Sequence, residues 1–445
     1  MSVLIRDATI VTMDADREIV SGDILIQADR IAAIGQVAPE QVEPGVEVVD
    51  GRGRLVIPGL IQAHVHLCQT LFRGRADDLE LLDWLKKRIW PLEGAHDEES
   101  IYCSALLGAA ELFRGGTTAV IDMETVHHTD AAIQAIHDCG LRALTGKVMM
   151  DAGDDVPPTL RESTEQSLRE SVDLLEKWHN AAGGRIKYAF APRFLLSCSK
   201  DLLREVAALS GRYDVKVHSH AAENRAEVAA VLEECGTTGL VYLEGLGLAN
   251  PNLVLAHCIW LDDEEKQIIA QSGLHVAHCP SSNLKLASGI AKIPELHAMG
   301  ANIAIGADGA PCNNNLDMFV EMRTAALIQK PFYGPTSMPA PLVFEMATIG
   351  GARAMGLEDE AGSLEVSKKA DLAMLDLQHP HTEPTDGVDV YSQLVYQAKS
   401  SDVVMTMIDG KIVMRDGRLT TINEEEILQK ARAAIRRVAS RAGHP

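Results

Sequence analysis

Between residues 55 and about 330, short apolar segments alternate with stretches of helical periodicity. This alternation is typical of parallel strand–helix–strand units, so the sequence predicts an α/β protein. Eight such units are what a closed (β/α)8 TIM-like barrel needs. An open, doubly wound sheet is the alternative, but no GxGxxG follows an early strand, which removes the dinucleotide-binding form of that fold. The eight predicted strands cover residues 55–66, 117–122, 142–150, 185–194, 215–221, 252–259, 274–280 and 302–308.

Both ends of the chain differ from this pattern, because they read as short strands joined by turns. Residues 1–54 are too rich in predicted strands to begin a barrel, and the same style returns in residues 362–420. The Asp-Gly dipeptide that begins at Asp409 favours a tight hairpin there. We therefore predict a small composite β-sandwich from the two ends, a barrel over residues 55–361, and a C-terminal helix within residues 421–445 that packs on the outside.

The composition limits which partners the protein can have. The 445-residue chain carries a net charge of −22, which repels nucleic acid and anionic membranes and favours a small-molecule substrate. Its eight cysteines include no CxxC pair, which argues against a disulfide framework or a thiolate zinc site and for a reducing compartment. No apolar run approaches the roughly 18 residues of a membrane span. We expect a cytoplasmic protein that binds neither nucleic acid nor membrane.

The first predicted strand ends in His64-Val65-His66. Successive side chains of a strand alternate between its faces, so both imidazoles point to the same side. A lone HxH is common by chance, but this one closes an apolar run of the kind that is buried in a parallel sheet. Two imidazoles in such a place form half of a metal site.

Other potential metal ligands also stand at the carboxyl ends of predicted strands, where barrel enzymes place their catalytic groups. Histidines with a carboxylate and without thiolates suit zinc or another first-row ion that keeps a position open for water. The spacing of His218 and His220 puts both on one face and leaves open which of them binds. The strand-end residues are His64, His66, His218, His220, His257, His278 and Asp308.

Glu223 lies three residues beyond His220, just past the end of its strand. A metal lowers the pKa of a bound water to about 7, and a nearby carboxylate can then move the proton. A solvated glutamate at a helix start is the structural alternative. We predict that Glu223 shuttles protons.

The segments PGLIQAHVHL, HAAEN, LAHCIWL, HCPSSNLKLASGIA and IGADGAPCNNNLDMFVEMR resemble the metal-dependent amidohydrolase superfamily. The resemblance is closest to the branch that contains 5'-deoxyadenosine, methylthioadenosine and S-adenosylhomocysteine deaminases, guanine deaminase and the triazine hydrolases. It runs through the whole chain, including GSLEVSKKADLAMLDL near the C-terminus. It implies a (β/α)8 barrel and a hydrolytic enzyme.

The resemblance also implies roles for individual residues. A single divalent metal is expected, because Lys187 lies near the start of its strand rather than where binuclear relatives place a bridging lysine. Zinc is the first choice for this metal, with iron or manganese as alternatives. Glu223 becomes the proton shuttle, and His257 either orients the attacking hydroxide or lies close to the metal. His218 and His278 become supporting residues. The implied metal ligands are His64, His66, His220 and Asp308.

Two sets of substrate-binding residues compete. The long segment after the first strand contains Trp84, expected to line the pocket, and Glu93, which matches the glutamate that holds ribose hydroxyls in adenosine-type relatives. Gln69 and Arg193 instead match residues that hold the purine in guanine deaminase. No second arginine suits a homocysteine carboxylate, which weakens S-adenosylhomocysteine as a substrate.

We therefore expect a metal-dependent deaminase of 5'-modified adenosines, with 5'-deoxyadenosine or methylthioadenosine as substrate. The alternatives are guanine deaminase, another aminopurine or aminotriazine aminohydrolase, or a chlorohydrolase. The superfamily commonly oligomerises, so a homo-oligomer is expected.

Overall fold

The computed structural model describes residues 2–443, and strands from both ends of the chain meet in one mixed sheet, the terminal sheet. The strand Arg54–Pro58 joins the two ends, because it runs parallel to Ser2–Val11 and antiparallel to Leu372–Asp376. A sandwich of two packed sheets stays a prediction. The strands of the terminal sheet are Ser2–Val11, Ile19–Gln27, Arg30–Gly35, Glu47–Asp50, Arg54–Pro58, Leu372–Asp376, Val403–Ile408, Lys411–Arg415 and Arg418–Leu419.

The single strand predicted over residues 55–66 is in fact two strands separated at Gly59. Arg54–Pro58 belongs to the terminal sheet, whereas Leu60–His66 pairs with Thr117–Met123. A Cβ atom on Gly59 would lie 2.0 Å from the Oγ1 atom of Thr118, so only glycine lets the chain pass between the two sheets at this point.

Each of the other seven predicted regions contains a strand, and these central strands pair in parallel. One run of pairings is Ile186–Tyr188, Arg142–Gly146, Thr117–Met123, Leu60–His66 and Asp308–Gly309. A second run is Val217–Ala221, Leu253–His257, His275–His278 and Asn302–Ile305. A parallel bridge between Phe190 and Val217 links them, and Val148–Met149 pairs with Ala191–Pro192.

Helices separate the central strands along the chain, and many of them start where the sequence supplies a cap. The side chains of Asp97, Ser163, Ser199, Asn224 and Asp262 each accept a hydrogen bond from the first turn. The longer helices are Glu98–Arg114, Thr129–Cys139, Thr164–Trp178, Lys200–Tyr213, Arg225–Cys235, Asp263–Ser272, Met318–Tyr333 and Glu424–Arg441. The shorter ones are Leu81–Trp84, Trp90–Glu93, Ala181–Gly184, Gly239–Gly245, Pro280–Lys285, Ile293–Ala298, Ala310–Asn313, Ala340–Met346, Ile349–Met355 and Val390–Ser392.

The predicted C-terminal helix is present as Glu424–Arg441 and packs against Glu98–Arg114. Two ion pairs accompany this packing, Arg437 with Glu99 and Arg441 with Asp97. The predicted range of 421–445 also includes His444 and Pro445, which lie outside the described residues. Within residues 2–443, the structure contains no helix that is long and apolar enough to cross a membrane.

The core explains why polar groups gather at one end of the central strands. A cluster of small and aliphatic side chains fills the space between these strands, and it includes Ile61, Ala63, Ala119 and Val254. The next side chains toward the carboxyl ends are buried and polar instead, beginning with His64. Buried polar groups need partners, so this end of the strands is where a functional site is expected.

Candidate metal centre and active site

Four of the predicted ligands come together at the carboxyl ends of the central strands. The Nε2 atoms of His64 and His66 each lie 3.3 Å from Oδ1 of Asp308. The Nε2 atom of His220 lies 3.4 Å from that of His66. Ligand atoms of His257 also lie within 4.8 Å of those of His64 and His220.

Backbone carbonyls determine which ring nitrogen faces the cluster. The Nδ1 atom of His66 lies 2.7 Å from the carbonyl oxygen of Met123, and Nδ1 of His220 lies 2.7 Å from that of Arg193. A carbonyl can only accept, so both Nδ1 atoms carry the proton and both Nε2 atoms present a lone pair. Two lone pairs 3.4 Å apart repel each other unless a cation lies between them.

His64 is oriented in the same way, through His218. The Nδ1 atom of His218 donates to the carbonyl of Val254 at 3.1 Å, so its Nε2 accepts from Nδ1 of His64 at 2.7 Å. Burial lowers the pKa of His64 to about 4, so this imidazole is neutral near pH 7 and its Nε2 lone pair faces the Asp308 carboxylate. The donor set of three imidazoles and one carboxylate therefore fits a divalent metal.

His257 and Glu223 lie beside this cluster. The Nε2 atom of His257 lies 3.4 Å from Oε2 of Glu223 and 3.9 Å from Oδ2 of Asp308. Its Nδ1 donates to Oδ1 of Asn283 at 2.8 Å. Burial opposes the charged form of His257, but the two carboxylates outweigh it and raise its pKa. The predicted proton-handling residues are thus in contact with each other and with a predicted ligand.

Burial raises the pKa of Glu223 to about 7, although His257 acts to lower it. A carboxyl group with a pKa near neutrality can both take up and release a proton at physiological pH. Its backbone N–H donates to Oε2 of Glu227 at 2.7 Å, which fixes the chain just beyond the strand end. The position and protonation behaviour of Glu223 suit a proton shuttle.

A pocket opens onto the cluster, and its outer wall is largely apolar. Trp84 and Arg193 line it, as the sequence predicts, together with residues that sequence reasoning missed. The helical periodicity of the segment after the first strand is a signal that could have found Leu81 and Leu85. The lining residues are His66, Leu81, Trp84, Leu85, Arg193, Phe194, His220, Glu223, Glu227, His257, Leu286 and Asp308.

Glu93 and Gln69, the other predicted substrate-binding residues, are not among the lining residues. The Nη1 atom of Arg193 lies 2.6 Å from Oε2 of Glu93, and its Nη2 lies 3.3 Å from Oε1. Nε2 of Gln69 donates to Oε1 of Glu93 at 2.8 Å. The two competing sets of predicted residues therefore form one buried network.

His278, the remaining strand-end histidine, is buried, and neither of its ring nitrogens has a hydrogen-bond partner. It is absent from the groups of residues whose ligand atoms cluster within the described part of the chain.

Comparison with known proteins identifies the family. Residues 55–413 match the sequence model described as "Amidohydrolase family". The chain belongs to the amidohydrolase family.

Similar proteins extend over the full length of this amidohydrolase. A 5'-deoxyadenosine deaminase of Methanosarcina acetivorans is 38% identical over 442 residues, with 99% of each chain covered. A 5-methylthioadenosine/S-adenosylhomocysteine deaminase of Desulforudis audaxviator is 38% identical over 443 residues, covering 98% of this chain and 99% of its own. The crystal structure of an adenosine deaminase from Xanthomonas campestris with bound zinc superposes with a TM-score of 0.92 at 34% identity, with 98% of each chain covered.

These relatives indicate the class of reaction that the protein catalyses. This amidohydrolase is a hydrolase that acts on C–N bonds, and its cluster of histidines and Asp308 is a candidate metal site of the type that the family uses. The resemblance predicted from the sequence motifs is confirmed.

Proposed function

We propose that this amidohydrolase removes ammonia from 5'-modified adenosines, with 5'-deoxyadenosine as the preferred substrate and methylthioadenosine next. The observation that carries the proposal is the pocket itself, in which a metal-ligand cluster and Glu223 face an apolar wall. Among the described lining residues other than histidines, Arg193 is the only cation, and Glu93 already pairs with it. Relatives of 36–41% identity that carry these enzyme names support the same substrate class.

His64, His66, His220 and Asp308 would hold one divalent metal, zinc in preference to iron or manganese. A divalent ion at this position would act as a Lewis acid that lowers the pKa of water and stabilises negative charge in the transition state. The protein holds the donors in place by the hydrogen bonds to Met123, Arg193 and His218. Such supporting bonds orient the ligands and raise their basicity.

The reaction is hydrolysis at C6 of the purine, so a C6–O bond forms and the C6–N bond breaks. Glu223 takes a proton from the attacking water and passes it to the ring nitrogen next to C6. A second transfer through Glu223 protonates the amino group, which leaves as ammonia. His257 and Asp308 orient the attacking oxygen, because Nε2 of His257 lies 3.4 Å from Oε2 of Glu223 and 3.9 Å from Oδ2 of Asp308. The inosine analogue remains.

The apolar wall accounts for the choice of the 5' group. Leu81, Trp84, Leu85, Phe194 and Leu286 offer contact to a methyl or methylthio group. The carboxylate and ammonium of S-adenosylhomocysteine would instead need polar partners after losing water, and a group buried without them costs a few kcal/mol. We propose that Trp84 packs on the substrate and that Glu93 holds the ribose hydroxyls while Arg193 orients its carboxylate.

Guanine is the second candidate substrate, and one observation favours it. Arg193 lines the pocket whereas Glu93 does not, so the guanidinium is the nearer of the two to a bound ligand. In this alternative Arg193 and Gln69 hold the purine and no ribose clamp is needed. A chlorotriazine would need less proton delivery than an amine, because chloride leaves without protonation, and the buried Glu223 therefore argues for ammonia as the leaving group.

For the architecture we propose that the central strands close into a (β/α)8 barrel over residues 55–361. The bridge between Phe190 and Val217 and the pairing of Asp308–Gly309 with Leu60–His66 support closure. Residues 1–54 and 362–420 would form the β-sandwich domain. We further propose a homo-oligomer in the cytoplasm.

The experiment is ammonia release from a panel of 5'-deoxyadenosine, methylthioadenosine, S-adenosylhomocysteine, adenosine and guanine, with chloride release from a chlorotriazine measured in parallel. The proposal expects the highest kcat/KM for one of the first two compounds. Chloride release without ammonia from any aminopurine would replace deamination by dechlorination.

A further inference from the structure

One short segment, residues 282–288, contacts three of the groups that surround the reacting atoms. It lies directly after the strand His275–His278 and contains the end of the helix Pro280–Lys285. Three of its side chains are almost completely buried, at 0%, 1% and 2% exposure, and each bonds to a different group. The pairs are Ser282 with Asp308, Asn283 with His257, and Ser288 with Glu223.

Ser288 is held on its backbone and free to donate through its side chain. Its N–H donates to the carbonyl of Asn283 at 2.9 Å, and its carbonyl accepts from Nε1 of Trp260 at 2.7 Å. The hydroxyl lies 3.2 Å from Oε1 of Glu223, where it donates to the carboxylate. Because the N–H and the carbonyl of Ser288 are both hydrogen-bonded, its hydroxyl holds one oxygen of Glu223 in a defined position.

The chain at Ser288 and Gly289 packs against the side chain of Trp260. The guanidinium of Arg225 stacks over its ring, 4.0 Å from the ring centroid. Gly289 also approaches this ring, with φ of +138°, and a Cβ there would lie 2.9 Å from both the Trp260 ring and Ile259. Only glycine allows the chain to come this close to the ring with that backbone conformation.

Asn283 orients the second group. Its Oδ1 atom can only accept, so Nδ1 of His257 carries the proton and Nε2 is directed at Glu223, 3.4 Å away. Ser282 fixes the third group, since its hydroxyl donates to Oδ2 of Asp308 at 2.6 Å. The other oxygen of Asp308 accepts from the N–H of Gly309 and faces His64 and His66.

We propose that Ser288 is a positioning residue for the proton shuttle, and that residues 282–288 act as one rigid element that sets Glu223, His257 and Asp308 relative to each other. This inference rests on the proposed role of Glu223 and extends it to residues that do not touch the substrate. Ser288 acts on kcat because it keeps the Glu223 carboxylate within reach of both the water and the ring. It leaves substrate binding unchanged.

The first test is Ser288→Ala, measured on the best substrate of the panel. A hydrogen bond to a charged group contributes enough that its loss should lower kcat about ten-fold or more. KM should stay within about two-fold, because Ser288 is not a lining residue. Ser281→Ala is the control in the same stretch of chain, since Ser281 bonds to Glu321 and no contact joins it to Glu223, His257 or Asp308 among the described residues. It should leave kcat within about two-fold of the wild type.

The decisive test is a double-mutant cycle with Glu223→Gln. If Ser288 acts through Glu223, adding Ser288→Ala to Glu223→Gln should lower the residual kcat no further. An equal loss of kcat in the wild-type and Glu223→Gln backgrounds would overturn the proposal, as would an unchanged kcat in Ser288→Ala.

The proposed substrate and the proposed role of Ser288 can be contradicted independently of each other. The cycle uses whichever substrate is turned over fastest, so a preference for guanine would contradict the proposed substrate without affecting the cycle. Crystal structures supply a readout that needs no turnover. The Glu223 carboxylate should leave its place beside His257 in Ser288→Ala and keep it in Ser281→Ala, and an unmoved carboxylate in Ser288→Ala would count against the positioning role.

Discussion

Arg193 and Glu93 form a buried ion pair, with 2.6 Å between Nη1 and Oε2, although they lie 100 residues apart in the chain. Both side chains are almost fully buried, at 4% and 1% exposure. The pair joins the segment after the first central strand to the loop after the fourth, and the backbone carbonyl of Arg193 itself accepts from Nδ1 of His220. Arg193 therefore lines the pocket with its side chain and orients a predicted metal ligand with its backbone.

Glu93→Ala should destabilise the protein by roughly 3–5 kcal/mol, because it leaves the Arg193 guanidinium buried without its partner. Urea unfolding measures this loss. The double variant Glu93→Leu/Arg193→Met should recover part of it, since neither charge then remains. Asp83→Ala, which breaks the exposed pair with Lys87, is the control and should cost at most about 1 kcal/mol. Equal losses for the two pairs would contradict this view of Arg193 and Glu93.

Glu223→Gln should lower kcat by about 10²-fold or more while the protein keeps its metal. The amide cannot accept and return the proton, but Glu223 is not one of the five residues whose ligand atoms cluster. Ammonia release and elemental analysis of the purified protein measure the two quantities. Glu233→Gln, an exposed change on the helix Arg225–Cys235, should alter neither. A non-catalytic metal-binding protein would be indifferent to Glu223→Gln.

His218→Leu should weaken metal binding by about 10–100-fold, because His64 loses the partner that accepts from its Nδ1. Competition with a chromogenic chelator measures the affinity. His278→Leu is a matched control, since that histidine is equally buried but bonds to nothing through its ring. If both variants bind metal equally well, His218 does not support the site.

Glu321→Gln should change how stability depends on pH. Burial raises the pKa of Glu321 from 4.5 to about 7, while Ser281 and Asn313 oppose the shift by donating to its carboxylate. The folded state therefore binds this proton more tightly, so its contribution to the free energy of unfolding is full below about pH 4.5 and is lost as the pH rises to about 7. Between these pH values, the free energy of unfolding of the variant should rise by about 3 kcal/mol relative to that of the wild type. Urea unfolding at several pH values tests this, and a constant difference between the two proteins would contradict it.

The sequence predicted the parts of this structure that depend on local periodicity and on shared strand ends. Strands appear in all eight expected regions, and His64, His66, His220, His257 and Asp308 come together because parallel strands place their carboxyl ends on one edge. Two features of the structure could not be predicted from the sequence. The split at Gly59 depends on contact with Thr118, and the pairing of Glu93 with Arg193 depends on how two distant loops pack, which no local pattern encodes.

The choice between His218 and His220 shows the same limit on a smaller scale. Both lie on one face of one strand, so periodicity treats them alike. The structure distinguishes them through their neighbours, because His218 bonds to His64 and Val254 whereas His220 lies beside His66.

The most direct test of the account is kcat/KM for 5'-deoxyadenosine compared with guanine, in the wild type and in Glu93→Ala. The account predicts a higher value for 5'-deoxyadenosine in the wild type and a loss of about 10²-fold or more for this nucleoside in the variant. It would be contradicted if guanine gave the higher kcat/KM and Glu93→Ala left nucleoside turnover unchanged.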